Sequence, residues 1–318
     1  MRGLPPVVAF AILTLAWFAA INAVASLAAL AAARLLDESV AASAARARRL
    51  VALRLAPAAV SLLGAGALFL PAHVRLEAAA TDERLGIGLF GLAACGLLLL
   101  WSACARVLRV VRASARLARC DARRDLWRGK IQLTEVPLLR GIALAGIIRP
   151  RILVGSQVRD ALTSSEFDVA VAHERAHQQA RDNLTRLLMH CTPDFLVWSA
   201  TARRLEALWS AEAECLADAA AVGASGKRAE RLASALVKIA RLAAGDRSWS
   251  PEWSTLHHAA LLEMRVRLLV TRACVQQDSR ALMPAAAALC TAAIAIAWLA
   301  GLPAGLHTVT ELVIVHLP

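Results

Sequence analysis

The 318 residues include no tyrosine and only 3 lysines, against 33 arginines. The first absence removes a phenolic hydroxyl from any acid–base or oxyanion-binding role. The second, beside abundant alanine, makes the net charge of +12 read as a compositional bias of the coding sequence. Much of the excess lies close to the ends of apolar runs. There it serves topology and contact with anionic lipid, so no direct nucleic-acid partner is expected. The seven cysteines are odd in number and contain no Cys-x-x-Cys pair. A disulfide framework or paired-cysteine site therefore has no signature. No internal repeat or long low-complexity linker divides the chain.

Charge is missing altogether from four long stretches: residues 3–33, 55–74, 85–105 and 281–310, counting histidine as neutral. A helix needs about 20 apolar residues to cross a bilayer, so four spans are predicted. The first is too long for a cleaved signal core and reads as an anchor. The second contains Pro57, Gly64, Gly66 and Pro71, and its alternative is a re-entrant or buried soluble helix. The spans lack clusters of acids or bases, which argues against a polar transport path.

Charge between the runs sets orientation. Residues 34–54 carry a net +3, residues 73–84 a net −1 and residues 106–130 a net +7. The positive-inside rule puts 34–54 and 106–280 in the cytoplasm of an inner-membrane, multi-pass protein, with both termini outside. Arg106, Arg109, Arg112, Arg116 and Arg119 form a basic face continuing the third span along the membrane surface. Cys120, Cys191, Cys215 and Cys274 fall in the cytoplasmic part, where thiols stay reduced.

Within that part, residues 173–177 read His-Glu-Arg-Ala-His. On a helix His173 and His177 share a face and can bind one zinc ion. Glu174 then stands beside the metal as a base for the attacking water. A chain of this composition produces such a string by chance about once in a hundred, and the plain alternative is a helix with two surface histidines. Two features favour the metal. Thr163-Ser-Ser165 and Glu166 form an N-terminal helix signal ahead of the motif. Further on, Glu214 can complete a two-histidine, one-carboxylate set, and Asp218, one turn later, can fix a ligand histidine's tautomer. Cys215 is expected to pack as a small apolar residue. His257 and His258, in a polar loop, are the less favoured ligands.

Short β-branched runs at Ile131–Val136, 142–148 and 152–154 predict two or three strands. Residues 191–194 are expected to end the motif helix, an apolar turn follows at 195–198, and residues 227–243 and 259–274 read as helices. This part, about 170 residues, is enough for one core.

Val136-Pro137, Gly141, Arg149-Pro-Arg-Ile-Leu153, the motif with Arg181-Asp-Asn-Leu184 after it, Pro193-Asp-Phe-Leu-Val-Trp198 and the Glu214–Asp218 pair together resemble the BlaR/MecR-type integral-membrane zinc metallopeptidases. Three spans before the motif and one after also match. The resemblance covers nearly all of the chain. It implies a gluzincin-like centre with His173, His177 and Glu214 on zinc, Glu174 as base and a cytoplasmic repressor as substrate. Arg175 departs from the neutral residue more usual there. An extracellular β-lactam sensor is not expected, so antibiotic sensing does not carry over. HtpX-type and CAAX-prenyl-type membrane proteases are less similar.

The expected architecture is a mainly α membrane protein. Residues 1–110 hold three transmembrane helices and a basic loop, and residues 111–280 an α+β zinc peptidase domain. Residues 281–318 hold the fourth span and a short external tail. The expected function is zinc-dependent endoproteolysis of a protein or peptide at the cytoplasmic side. The alternatives are a signalling scaffold with a structural zinc site and an HtpX-like quality-control protease. The absence of tyrosine excludes it as the oxyanion donor; arginine or histidine side chains near the cleft, His190 among them, could serve, and the sequence does not single one out. Oligomeric state is not legible.

Overall fold

Proline at the first helical position costs no hydrogen bond, and an uncharged run behind it satisfies its backbone internally. In the computed structural model Pro6 accordingly opens α1, Pro6–Arg34. The structure describes residues 5–36, 43–69, 85–119, 124–128, 131–137, 139–244 and 259–271, with a few positions between 301 and 312. The second helix, α2, spans Ala44–Leu63 and continues as a π-helical turn over Gly64–Phe69. The third, α3, spans Ile87–Arg119. Among the described residues three helices are thus long and apolar enough to cross a membrane: Val7–Arg34, Ala44–Phe69 and Ile87–Ala115. Most of the fourth expected span, and His257 and His258, lie outside the described residues. Near its end Thr310 Oγ1 accepts a hydrogen bond from Trp17 Nε1, 3.0 Å away.

The loop expected at 34–54 is partly helix. Ser43 caps α2 by accepting from the Arg46 backbone N–H at 3.1 Å, and alanine and arginine propagate a helix well. Arg46, Arg48, Arg49 and Arg54 therefore ride on α2. α1 and α3 approach closely at Gly96, where an added Cβ would meet Leu15 O at 2.5 Å. Small residues commonly permit such crossings.

Among the described residues four strands form one sheet, where two or three were expected: β1 Arg124–Arg128, β2 Ile131–Val136, β3 Ile142–Ala145 and β4 Arg151–Gly155. Their order is β1-β2-β4-β3. β2 and β4 run parallel, with Leu133 opposite Ile152, and the two edges are antiparallel, with Arg124 opposite Glu135 and Ile142 opposite Val154. The β1 sequence is charge-rich and lacks the β-branched signal. That composition suits an edge strand and hides it from a pattern search.

Six helices complete the described chain: α4 Ser156–Ala161, α5 Ser164–Ala180, α6 Asp182–Cys191, α7 Ala200–Val222, α8 Gly226–Ala244 and α9 Ala259–Thr271. A 3₁₀ turn, Phe195–Trp198, separates α6 from α7. One face of the sheet, with Leu133, Ile142, Ile152 and Val154, packs on Phe167, Ala170 and Val171 of α5 and on Ala235 and Ile239 of α8. Each such side chain contributes roughly 1.5–3 kcal/mol by leaving water. α5 is thereby held between the sheet and α7.

The apolar helices meet the rest of the chain most extensively through α2. Ala47 and Leu50 share a cluster with Met189, Leu205, Trp209 and Ala213. Polar bonds add direction. Asn22 of α1 donates to Ser61 Oγ at 2.8 Å and Pro193 O at 3.0 Å, and its Oδ1 accepts from Phe195 N at 3.1 Å. Arg54 of α2 donates to Asp194 at 2.7 Å and Glu206 at 3.1 Å. Arg106 of α3 donates to Thr192 O at 2.8 Å. All three apolar helices therefore grip the turn at 192–195, between α6 and α7. Arg106 thus points inward, unlike the membrane-surface face expected for it.

Candidate metal centre

The helix signal ahead of the motif forms as a capping box. Glu166 N donates to Thr163 Oγ1 at 3.3 Å, and Thr163 N donates to Glu166 Oε2 at 2.8 Å. This sets the start of α5 and thereby the face on which the motif lies. His173 is 2 % exposed, Glu174 4 % and His177 9 %. Arg175 points to solvent, so its departure from the family pattern falls off the site.

The motif helix ends at Arg181, earlier than residues 191–194. Arg181 adopts the left-handed conformation with φ 57°, which costs a non-glycine residue about 1–2 kcal/mol. The break redirects the chain so that Asp182, opening α6, turns back on the motif. Asp182 Oδ2 lies 2.6 Å from His177 Nδ1. On α7, Glu214 and Asp218 are one turn apart and buried. Asp218 Oδ1 lies 2.9 Å from His173 Nδ1, at an angle that leaves the bond bent.

With a carboxylate at each Nδ1, both rings place their N–H there and turn an Nε2 lone pair inward. The two Nε2 atoms are 3.1 Å apart. Glu214 Oε2 is 3.4 Å from one and Oε1 is 3.6 Å from the other. A tetrahedral ion with bonds of ~2.0–2.1 Å separates its ligand atoms by about 3.3 Å. His173, His177 and Glu214 therefore fit one small cation, and among the described residues they form a group that can hold a metal.

The charges agree. Burial opposes a proton on His177, but Asp182 and Glu214 outweigh it and raise the ring to about 10. Burial likewise opposes a proton on His173, and Asp218 and Glu214 reverse the balance upward. Burial pushes Glu214 up, yet the two histidines and Arg265 hold it well below the usual carboxylate range. The site attracts positive charge. Glu174 differs: burial dominates and lifts its pKa above the ordinary value.

Three nearby groups have a part in the site that residue spacing does not announce. Asp182 is one. Arg265 of α9 is another; it is 1 % exposed and bonds both Glu214 and Asp218. Its clue is that it stands one turn before buried Leu269, on an apolar helix face. Arg186 of α6 is the third. Its guanidinium lies 5.7 Å from the Trp209 ring centroid, and it feels the charges of Glu214, Asp182 and Glu174. His190 instead faces Glu206 at 3.8 Å. Burial raises the Cys215 thiol to about 11, which fits apolar packing.

A family model described as BlaR1 peptidase M56 matches residues 7–269. No curated protein and no solved structure matches the chain. The matched region takes in the three apolar helices, the sheet, the paired histidines and the acids of α7. The chain belongs to the BlaR1 peptidase M56 family, and so among the membrane-associated metallopeptidases.

Proposed function

We propose that the chain is a zinc-dependent endopeptidase of the inner membrane that cleaves a protein substrate at the cytoplasmic side, as a regulatory step. The observation that carries this reading is the convergence of two imidazole lone pairs and a carboxylate on one buried point, with Glu174 beside them. Zinc bound by His173, His177 and Glu214 would polarise the scissile carbonyl and make the attacking water acidic.

The remaining steps belong to the chain's own side chains. Glu174 takes the proton of the attacking water and delivers it to the leaving amine. Asp182 and Asp218 keep the imidazoles in one tautomer. β3 lies at the sheet edge, packed beside α5. Asn183 Nδ2 pins it by donating to Leu144 O at 2.9 Å and Gly146 O at 2.8 Å. An extended substrate backbone can pair along such an edge. A cytoplasmic repressor is the substrate the family suggests, and an HtpX-like quality-control role is the second reading.

The +3, −1, +7 charge pattern supports four spans, with the peptidase domain inserted between the third and fourth and both termini outside.

Glu174→Gln tests the mechanism. It preserves size but cannot accept the proton. Metal content should stay at the wild-type level while turnover falls ~100- to 10,000-fold. Equal cleavage by wild type and Glu174→Gln would leave a structural-metal scaffold as the better account.

A further inference from the structure

Arg265 lies 47 positions beyond Asp218, on a different helix, yet every nitrogen of its guanidinium is engaged at the metal centre. Nε and Nη2 donate to the two oxygens of Asp218, at 2.7 and 2.6 Å. Nη1 pairs with Glu214 Oε2 by charge at 2.8 Å, without the alignment of a hydrogen bond. Nη2 also comes within 3.5 Å of His173 Nε2. A planar fork can hold a carboxylate by both oxygens and still present a third donor; an ammonium cannot.

The two carboxylates have different tasks. Asp218 must face His173 Nδ1 without leaving it. Glu214 must offer an oxygen to the ion while the fourth position stays open. A carboxylate left to itself can turn both oxygens to a metal and close that position. Both oxygens of Glu214 stand at ligand spacing from an imidazole, and the charge of Arg265 at 2.8 Å draws Oε2 away from the ion and favours Oε1 as the ligand atom. Charge works the same way. Glu174, Glu214 and Asp218 are all buried, and one fixed cation makes their crowding tolerable.

We propose that Arg265 is a positioning residue. It holds Glu214 by one oxygen, so that Glu214 ligates the metal through the other, and it clamps Asp218 against His173. This rests on the metallopeptidase reading. It is distinct from neutralisation alone, because Arg265→Lys retains the charge and loses the fork.

The test uses the full chain in detergent, loaded with cobalt(II) for its visible absorption and with zinc for affinity. Four-coordinate cobalt absorbs more strongly than five-coordinate cobalt. Wild type should give the stronger spectrum. Arg265→Lys should give the weaker one, with zinc affinity reduced about 10- to 100-fold, the range seen when groups orienting a ligand are lost. Its kcat should fall with KM little changed. Should Arg265→Lys fail to fold, Arg265→Gln combined with Asp218→Asn removes one charge of each sign and should give a weaker spectrum than Asp218→Asn alone. A folded variant with the wild-type spectrum and affinity would overturn the role of Arg265 alone. A wild type that binds neither metal would overturn the metallopeptidase reading together with it.

Discussion

Two buried clusters in this molecule are each built around an enclosed arginine, and they are put together on opposite principles. At the membrane-side turn, Arg54 is 0 % exposed and faces Asp194, also 0 % exposed, with Glu206 behind it. Donors meet acceptors there: Asn22, Arg54 and Arg106 each deliver N–H groups to the 192–195 turn. At the metal centre Arg265 is just as enclosed, but acceptors outnumber donors and three of them aim at one another. The first arrangement has donors to spare, Arg54 Nη2 and Arg106 Nε being buried without an acceptor among the described residues, and so offers no place to a cation. The second holds an excess of lone pairs that only a cation or a proton relieves. Burial and charge alone do not distinguish a structural ion pair from a functional site; the balance of donors and acceptors does.

Deleting the arginine should break the comparison most sharply on the structural side. Arg54→Met leaves Asp194 buried without its cation, and removing one partner of a buried pair costs about 3–5 kcal/mol. The loss should appear as a large drop in thermal unfolding midpoint in detergent. Arg54→Met with Asp194→Asn should lose less than the two single changes added together, because the pair is coupled. Asparagine retains the bond by which Asp194 Oδ1 accepts from Val197 N at 3.0 Å. The fraction that stays folded should bind metal with wild-type affinity, since no metal donor is touched. Additive losses would show that the pair does not act as a unit.

On the functional side the pattern should invert, with the fold kept and metal weakened. Asp182→Asn keeps a hydrogen-bonding group against His177 Nδ1 but no charge, and zinc affinity should fall about 10- to 100-fold. Asp218→Asn should act in the same direction through His173. The unfolding midpoint of the metal-free protein should move little in either case. Competition with a chelator of known affinity measures the first quantity, and a thermal scan after dialysis the second. If Asp182→Asn unfolded the protein while leaving zinc affinity intact, the two clusters would not differ in kind.

The sequence declared the metal side more clearly than the membrane side, for a local reason. His173 with His177, and Glu214 with Asp218, are each one helical turn apart, so spacing alone announces them. The capping box at Thr163 and Glu166 is equally local. Arg265 was hidden because nothing nearby separates it from exposed Arg267, apart from the apolar stripe it shares with Leu269. Asp182 was hidden because its contact depends on the left-handed turn at Arg181, which an arginine does not advertise. Arg54 sits at the foot of an apolar run, where charge reads as a topology signal, and its partner is 140 positions away. β1 lacks the alternation of a half-buried strand and is recognisable only by its pairing with β2.

A buried carboxylate outside both clusters tests the same contrast at the smallest scale. Glu166 is 6 % exposed, and its partners are donors: Lys238 at 2.7 Å, Ser234 at 2.6 Å and Thr163 N at 2.8 Å. Burial raises its pKa, but Lys238, Ser234 and Thr163 outweigh that and bring it down to about 2. A carboxylate whose folded pKa is depressed adds stability above its ordinary pKa of 4.5 and loses it as pH falls toward about 2. Glu166→Gln keeps the shape of the cap and gives up the charge. Because Lys238 is partly exposed, the cost near neutral pH should be modest, about 1 kcal/mol. On acidification the gap between wild type and Glu166→Gln should close between pH 4.5 and about 2, because protonated Glu166 is nearly what the variant already is. Thermal scans of the two proteins across that range measure it. A gap that stayed constant would mean that Glu166 acts by packing and not by charge, unlike the acids of the metal centre.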